Sequence, residues 1–148
     1  MIQKKNLRKA SGISIILMLV CIAVSESCIA TQQTQTILDI TEVTGSLGTV
    51  TMTVKNIGDS TAEKITMSIS VKGGILNRIN IEKICDGCDA CGTTLEPNAI
   101  KIESTAEAGK IIGFGPITIT ASAAADNAEK VEKTYTGFVL GPFVIVTQ

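Results

Sequence analysis

The feature of this sequence that most constrains its fold is a strict alternation of apolar and hydroxyl side chains. In Lys64–Lys72 the apolar residues all fall at one parity and Thr, Ser or Lys fills the other, and Thr49–Lys55 and Ile117–Ala121 repeat the pattern. An apolar period of two residues with one solvent-exposed face is typical of half-buried antiparallel strands. These three segments therefore predict an all-β chain.

Further strand candidates are separated by Gly and Pro: Ile37–Val43, Ile75–Ile84, Ala99–Glu103, Lys110–Phe114 and Thr134–Val146. The turn-forming cluster Asn56–Ser60 predicts a hairpin between the first two alternating segments. Residues 121–133 are predicted to form a loop. About seven short strands with regular turns indicate a single Ig-like antiparallel β-sandwich.

The last predicted strand has apolar residues at both parities. Phe138, Leu140, Phe143 and Ile145 alternate with valines. This pattern predicts burial on both faces. At a sheet edge, however, the same strand could pair with a neighbouring subunit by strand addition.

The first thirty residues have the parts of a secretory signal. A basic segment with Lys4, Lys5, Arg8 and Lys9 precedes the 12-residue apolar run Ile13–Val24, and small and polar residues follow. The run is shorter than the roughly 20 residues that a membrane-spanning helix needs. Residues 1–30 are thus predicted to be a signal peptide, or a signal-anchor helix over 13–30 if uncleaved. A third hypothesis is a pilin-type leader that is cleaved near Lys9-Ala10. All three place residues 31–148 outside the cell or on its surface, as one domain.

Composition excludes several classes of function. The chain has no histidine, which removes Ser-His-Asp and Cys-His catalytic pairs and His-ligated metals. Beyond residue 30, nine basic residues face 13 acidic ones, so no nucleic-acid partner is expected. No paired carboxylates or phosphate-binding glycine loop are found. We expect no enzyme activity, no cofactor and no small-molecule substrate.

Three cysteines form the one chemical motif, Cys85, Cys88 and Cys91, in a Cys-rich loop at 85–92. The flanking Asp, Gly and Ala predict a tight, exposed loop. An exported protein favours a disulfide, and the odd third thiol would stay free or pair elsewhere, for instance with Cys28. A metal site on the three thiolates and a redox-active pair are the alternatives.

A resemblance to a known family rests on Val50, Met52, Val54, Asn56 and Gly58, followed by Ala62 and an alternating strand. This segment resembles the opening of CARDB-type (cell-adhesion-related) domains, and Leu95-Glu96-Pro97 and Ile117–Ala121 follow in the family's order. The resemblance spans about residues 37 to 146. It implies an Ig- or fibronectin-like sandwich on a prokaryotic surface, and the Ile- and Lys-rich leader favours an archaeal source.

Together these features predict an exported, non-enzymatic cell-surface protein that acts as a structural, adhesive or interaction module. Its partners would be other surface proteins or further copies of itself, with membrane contact only through residues 13–30 if the leader is retained. One alternative is an exported metal-binding or redox protein that uses Cys85, Cys88 and Cys91. Another is a subunit of a surface filament, assembled by strand addition or by its N-terminal apolar helix.

Overall fold

The computed structural model describes residues 34–86 and 93–147. The predicted leader over residues 1–30, and most of the Cys-rich loop, lie outside the described residues. Within them the chain forms ten strands and two short 3₁₀ turns, at Ile75–Asn77 and Thr105–Glu107. No helix in this part of the chain is long and apolar enough to cross a membrane.

The strands follow one another with short connections. Their bounds are β1 Leu38–Gly45, β2 Val50–Asn56, β3 Ala62–Glu63, β4 Thr66–Gly73, β5 Ile79–Asp86, β6 Thr94–Leu95, β7 Ile100–Ser104, β8 Gly113–Ala125, β9 Ala128–Gly141 and β10 Phe143–Thr147. They pair in three sheets, ordered β1-β2-β7, β10-β9-β8-β4-β5 and β3-β6. The pairings are antiparallel. The predicted all-β, antiparallel class is therefore confirmed.

One hydrophobic core joins the two larger sheets. Met52 and Val54 of β2 contribute to it from one sheet, and Ile69 of β4 and Ile119 of β8 from the other. Each belongs to an alternating segment, so the period of two correctly assigns the inward parity. The largest fully buried side chains are aliphatic or methionine, and Tyr135 packs against the core only partly buried.

The predicted hairpin at Asn56–Ser60 is wrong. β2 pairs with β1 and β7, whereas β4 pairs with β5 and β8, so the chain passes here from one sheet to the other. The buried Asn56 amide fixes this crossover: its Nδ2 donates to the carbonyls of Ser60 (2.8 Å) and Leu95 (2.9 Å). Its Oδ1 accepts from the backbone N–H of Gly58 at 3.0 Å.

The loop predicted over residues 121–133 is also wrong. β8 and β9 continue through it as the two longest strands and turn at Asp126-Asn127. The short inward side chains of Ala121 and Ala123 are buried. Because alanine is small and only weakly apolar, the sequence does not show a clear alternation here. Asn127 ties the turn to the body of the domain, because its Nδ2 donates to the carbonyl of Thr61 at 2.8 Å.

Three of the predicted strands differ substantially in the structure. The strand expected over Ile75–Ile84 begins only at Ile79, because Ile75–Asn77 forms a 3₁₀ turn. The separate strand expected at Lys110–Phe114 does not form, since β8 begins only at Gly113. The single final strand expected over Thr134–Val146 is two strands, β9 and β10, separated by a turn at Pro142. Gly141 has a φ of 64° there, a left-handed conformation that suits glycine in a tight turn.

Ionic contacts link elements around the sandwich. Lys133 of β9 donates to the Asp39 carboxylate of β1 at 2.8 Å and to the carbonyl of Ile40 at 2.7 Å. The hydrogen bond to Asp39 raises the pKa of Lys133. At the other side Lys83 of β5 contacts Glu107 at 2.5 Å, which lowers the pKa of Glu107 through that hydrogen bond.

Candidate functional site

Of the three predicted cysteine site residues, the structure describes Cys85. It is the penultimate residue of β5 and lies opposite Met67 of β4. Its side chain is 2% exposed and belongs to the core, so the prediction of an exposed loop is wrong at this position. The alternation of β5 continues through Cys85 and carries it inward. Cys88 and Cys91 lie outside the described residues.

The described residues around Cys85 show how the loop begins. The hydroxyl of Thr66 donates to the carboxylate of Asp86, the residue after Cys85, at 3.1 Å. This bond joins the end of β5 to the start of β4. Among the described residues no group of three or more His, Cys, Asp or Glu side chains is placed to hold a metal ion. The disulfide, the metal site and the redox-active pair remain predictions for Cys85, Cys88 and Cys91, since two of these cysteines lie outside the described residues.

A second candidate site is a surface. The outer face of β8, β9 and β10 carries six apolar side chains at its end near the β9–β10 turn, hereafter the aromatic face. Its members are Phe114, Pro116, Phe138, Leu140, Phe143 and Ile145. They include all three phenylalanines of the chain, and each phenylalanine is about half exposed, between 46% and 57%.

The strand register arranges the aromatic face in two rows. Leu140 lies directly between Phe114 and Phe143, and Phe138 lies directly between Pro116 and Ile145. Side chains directly opposite on antiparallel strands have Cβ atoms about 4.5–5.5 Å apart. The six side chains therefore form a continuous patch, which at half exposure presents about 500 Å² of apolar surface.

This burial pattern contradicts the expectation that the final strand is covered on both faces. Val139 and Val144 are buried, whereas Phe138 and Phe143 beside them are exposed. β10 is an edge strand of its sheet, and no described element covers its outer face. The large residues are thus on the outside and the smaller valines on the inside.

Uncharged side chains continue the aromatic face along the same strands. One further row joins Thr118, Thr136 and Thr147, and the next joins Thr120 and Thr134. Protein interfaces are depleted of charge at their centre and enriched in aromatic residues. The aromatic face and its threonine rows have that composition.

The edge of β10 is partly covered by the β1–β2 turn. The backbone N–H of Val144 donates to the carbonyl of Ser46 at 3.1 Å, and that of Gly48 donates to the carbonyl of Pro142 at 2.6 Å. Leu47 and Phe143 form an isolated bridge between them. A strand added at this edge would have to displace these bonds before it could pair with Val144.

The sequence pattern predicts burial, or pairing with a neighbouring subunit, for four members of the aromatic face, and it does not single out Phe114 or Pro116. A usable signal was present. In Gly137–Ile145 the branched valines occupy one strand face and the larger side chains the other, once the Gly141-Pro142 turn is recognised as reversing the chain.

Substitution of two adjacent residues distinguishes the two faces of β9. Phe138→Ser should lower the free energy of unfolding by less than about 1 kcal/mol, because an exposed side chain loses only cross-strand contacts. Val139→Ala should cost about 2 kcal/mol or more, because it leaves a cavity in a closed core. Urea denaturation followed by circular dichroism measures both. A larger loss for Phe138→Ser than for Val139→Ala would show that the phenylalanine face is packed.

No protein-family model matches the chain, and no curated protein matches it. The resemblance to CARDB-type domains therefore remains a prediction from Val50, Met52, Val54, Asn56 and Gly58. The antiparallel all-β architecture and the aromatic face are what the described residues establish.

Proposed function

We propose that this chain is an exported, non-enzymatic interaction module of the cell surface that associates with further copies of itself through the aromatic face. One observation carries the proposal: all three phenylalanines stand half exposed on one sheet face while the core is aliphatic. A patch of about 500 Å² is at the upper end for a monomer and marks interaction surfaces.

The strand order supports an Ig-like or fibronectin-like sandwich as the framework. The strands of Ig-like domains are lettered in chain order. Strands A, B and E correspond here to β1, β2 and β7, and strands C, F and G correspond to β4, β8 and β9. In Ig constant domains the fourth strand pairs with E, whereas β5 pairs here with β4. β10 is added beyond G. The CARDB-type resemblance, which implies surface or adhesive work, is compatible with this order.

The leader supports the location. We propose that residues 1–30 direct the domain out of the cell, as a cleaved signal peptide or as a retained anchor. The basic residues Lys4, Lys5, Arg8 and Lys9 and the apolar run after them carry this part of the proposal.

We further propose that Cys85 forms a disulfide with Cys88 or Cys91. The side chain of Cys85 is buried and is not free, which favours a structural bond over an exchangeable metal ligand or a redox thiol. Alkylation of the denatured, unreduced protein should leave Cys85 unlabelled. Labelling of Cys85, Cys88 and Cys91 together would contradict the disulfide and favour the metal-binding alternative.

The aromatic face and the threonine rows beside it together form an uncharged surface for a contact between two copies. A stable interface buries about 800 Å² on each partner. The aromatic face supplies about 500 Å², and the adjoining rows of Thr118, Thr136, Thr134 and Thr147 continue the uncharged surface. No acidic or basic side chain of β8, β9 or β10 lies within these rows, and the charged residue next to them in register is Lys72 of β4, opposite Thr118. The centre of the surface is therefore free of charge.

Face-to-face contact is favoured over strand addition as the mode of association. At the β10 edge Ser46 and Gly48 already bond the backbone at Val144 and Pro142, which leaves little of this edge for another strand. The outer face, in contrast, meets no other described element. A filament built by strand addition is therefore the less favoured of the two assemblies.

The natively exported protein and its variants test the proposal by sedimentation equilibrium. Wild-type protein should self-associate, and Phe138→Ser combined with Ile145→Ser should raise the dissociation constant about thirtyfold or more, as loss of interface anchors does. Ile102→Ser is the matched control, since Ile102 is 59% exposed but lies on β7 of the other sheet. It should leave the dissociation constant unchanged.

Three results would overturn self-association through this face. The first is a wild-type protein that stays monomeric at all concentrations. The second is equal weakening by Phe138→Ser/Ile145→Ser and by Ile102→Ser, which would mean that association follows general surface hydrophobicity. Association that none of these variants changes would assign the contact to another part of the chain and also contradict the proposal.

A further inference from the structure

We propose that one end of the domain binds anionic lipid membranes by inserting apolar loop residues between lipid headgroups. This inference goes beyond the proposed self-association and does not depend on it. The end in question, hereafter the apolar tip, carries Leu47, Ile75, Leu76 and Ile112. Their exposed fractions are 61%, 63%, 81% and 65%, higher than those of the aromatic face.

Backbone hydrogen bonds place the loops of the apolar tip side by side. The N–H of Ile111 donates to the carbonyl of Gly48 at 2.8 Å, and the N–H of Gly48 donates to that of Pro142 at 2.6 Å. The N–H of Gly74 donates to the carbonyl of Pro116 at 2.7 Å. The β1–β2, β4–β5, β7–β8 and β9–β10 connections thus meet at one end of the domain.

The β4–β5 and β7–β8 loops form the most prominent part of the tip. Ile75 and Leu76 line one shallow depression together with Arg78, Ile112 and Phe114. The tip is therefore continuous with the aromatic face through Phe114. Its side chains are aliphatic and project from loops, whereas those of the aromatic face stand on strands.

Charge at the apolar tip has one sign. Three basic residues lie there, Lys72, Arg78 and Lys110, in a domain whose acidic residues outnumber its basic ones by 13 to nine beyond residue 30. The four segments that build this end of the domain contain no Asp or Glu: 43–50, 72–79, 108–118 and 137–147. The carboxylate next along the chain, that of Glu107, is bonded to Lys83.

The backbone holds Leu76 outward at a conformational cost. Leu76 has a φ of 61° and the following Asn77 a φ of 51°, a left-handed conformation that leucine rarely adopts. Gly73 and Gly74 before them also have positive φ, 132° and 74°. Strained backbone is concentrated where function requires a particular display, and here it displays a leucine that is 81% exposed.

An anionic bilayer fits these observations better than a second copy or a nucleic acid. In a twofold contact between two copies, Lys72, Arg78 and Lys110 would face their own like charges. A nucleic acid would need aromatic or hydrogen-bonding groups to read or stack on bases, which aliphatic Ile75, Leu76 and Ile112 do not offer. Aliphatic loop tips flanked by cations match acyl chains beneath anionic headgroups.

The opposite end of the domain provides an internal control. The first described residues lie there, beside the β2–β3 connection. The N–H of Gln35 donates to the Asp59 carboxylate at 2.6 Å, and the N–H of Ile57 donates to the carbonyl of Ile37 at 2.8 Å. Ile57 is 51% exposed. Ile57 is therefore an exposed apolar position outside the apolar tip.

The chain has no tryptophan, so a single one reports on its own position. Leu76→Trp and the control Ile57→Trp are made in the full chain, and their folds are checked by circular dichroism. Each is mixed with phosphatidylcholine vesicles, with or without phosphatidylglycerol, that contain brominated acyl chains. We expect the fluorescence of Leu76→Trp to shift to shorter wavelength and to be quenched only with phosphatidylglycerol, and that of Ile57→Trp to be quenched less.

Neutralisation of the cations tests the charge requirement. Lys72→Gln, Arg78→Gln and Lys110→Gln together, in the Leu76→Trp background, should raise the lipid concentration for half-maximal quenching about a hundredfold, since each cation contributes about fivefold. The control Lys55→Gln, Lys101→Gln and Lys130→Gln changes the net charge equally and should have little effect.

Several results would overturn the inference. They are absence of quenching at Leu76→Trp, equal quenching with phosphatidylcholine alone, and quenching at Ile57→Trp that equals or exceeds that at Leu76→Trp. A wavelength shift that depends on protein concentration without lipid would assign the tip to contact with a second copy. Wild-type protein that binds vesicles but does not self-associate would instead refute the proposed function and leave this inference standing.

Discussion

The whole structure depends on how two sheet faces close over a core of aliphatic side chains. Met52 and Val54 on one sheet meet Ile69 and Ile119 on the other, and this apolar burial is the main favourable contribution to folding. Close-packed interiors accept only volumes that fit, and no phenylalanine is part of this core. All three phenylalanines instead stand on the outer face of β8, β9 and β10.

Two different surfaces follow from that arrangement. The aromatic face is flat, uncharged and built on strands, which suits contact with another protein surface. The apolar tip is built on loops and combines Ile75 and Leu76 with Arg78 and Lys110, which suits lipid headgroups and acyl chains. Both lie toward the end of the domain opposite the one where the described chain begins. Under the two proposals, the domain associates with further copies through its strands and contacts a membrane through its loops.

The sequence predicted the parts of the fold that depend on local periodicity. In Lys64–Lys72 and Thr49–Lys55 each apolar residue alternates with a hydroxyl or charged one, so strand and inward parity both follow. Sheet membership was not predictable in this way, because the Asn56 amide bonds Leu95, which is 39 residues away. The length of β8 was hidden by the small residues Ala121 and Ala123. The aromatic face was misassigned because apolar residues at both parities are equally compatible with a strand buried on both faces and with a strand whose outer apolar side chains are exposed.

The most direct test of the account is solvent paramagnetic relaxation enhancement at the aromatic ring protons, measured by NMR at low and then at high protein concentration. We expect the rings of Phe114, Phe138 and Phe143 to relax strongly in dilute protein, and Tyr135 to relax less. At high concentration the three phenylalanine rings should become protected while Tyr135 changes little. Phenylalanine rings that are already protected in dilute monomer would contradict the account, and so would rings that stay fully accessible when the protein is concentrated.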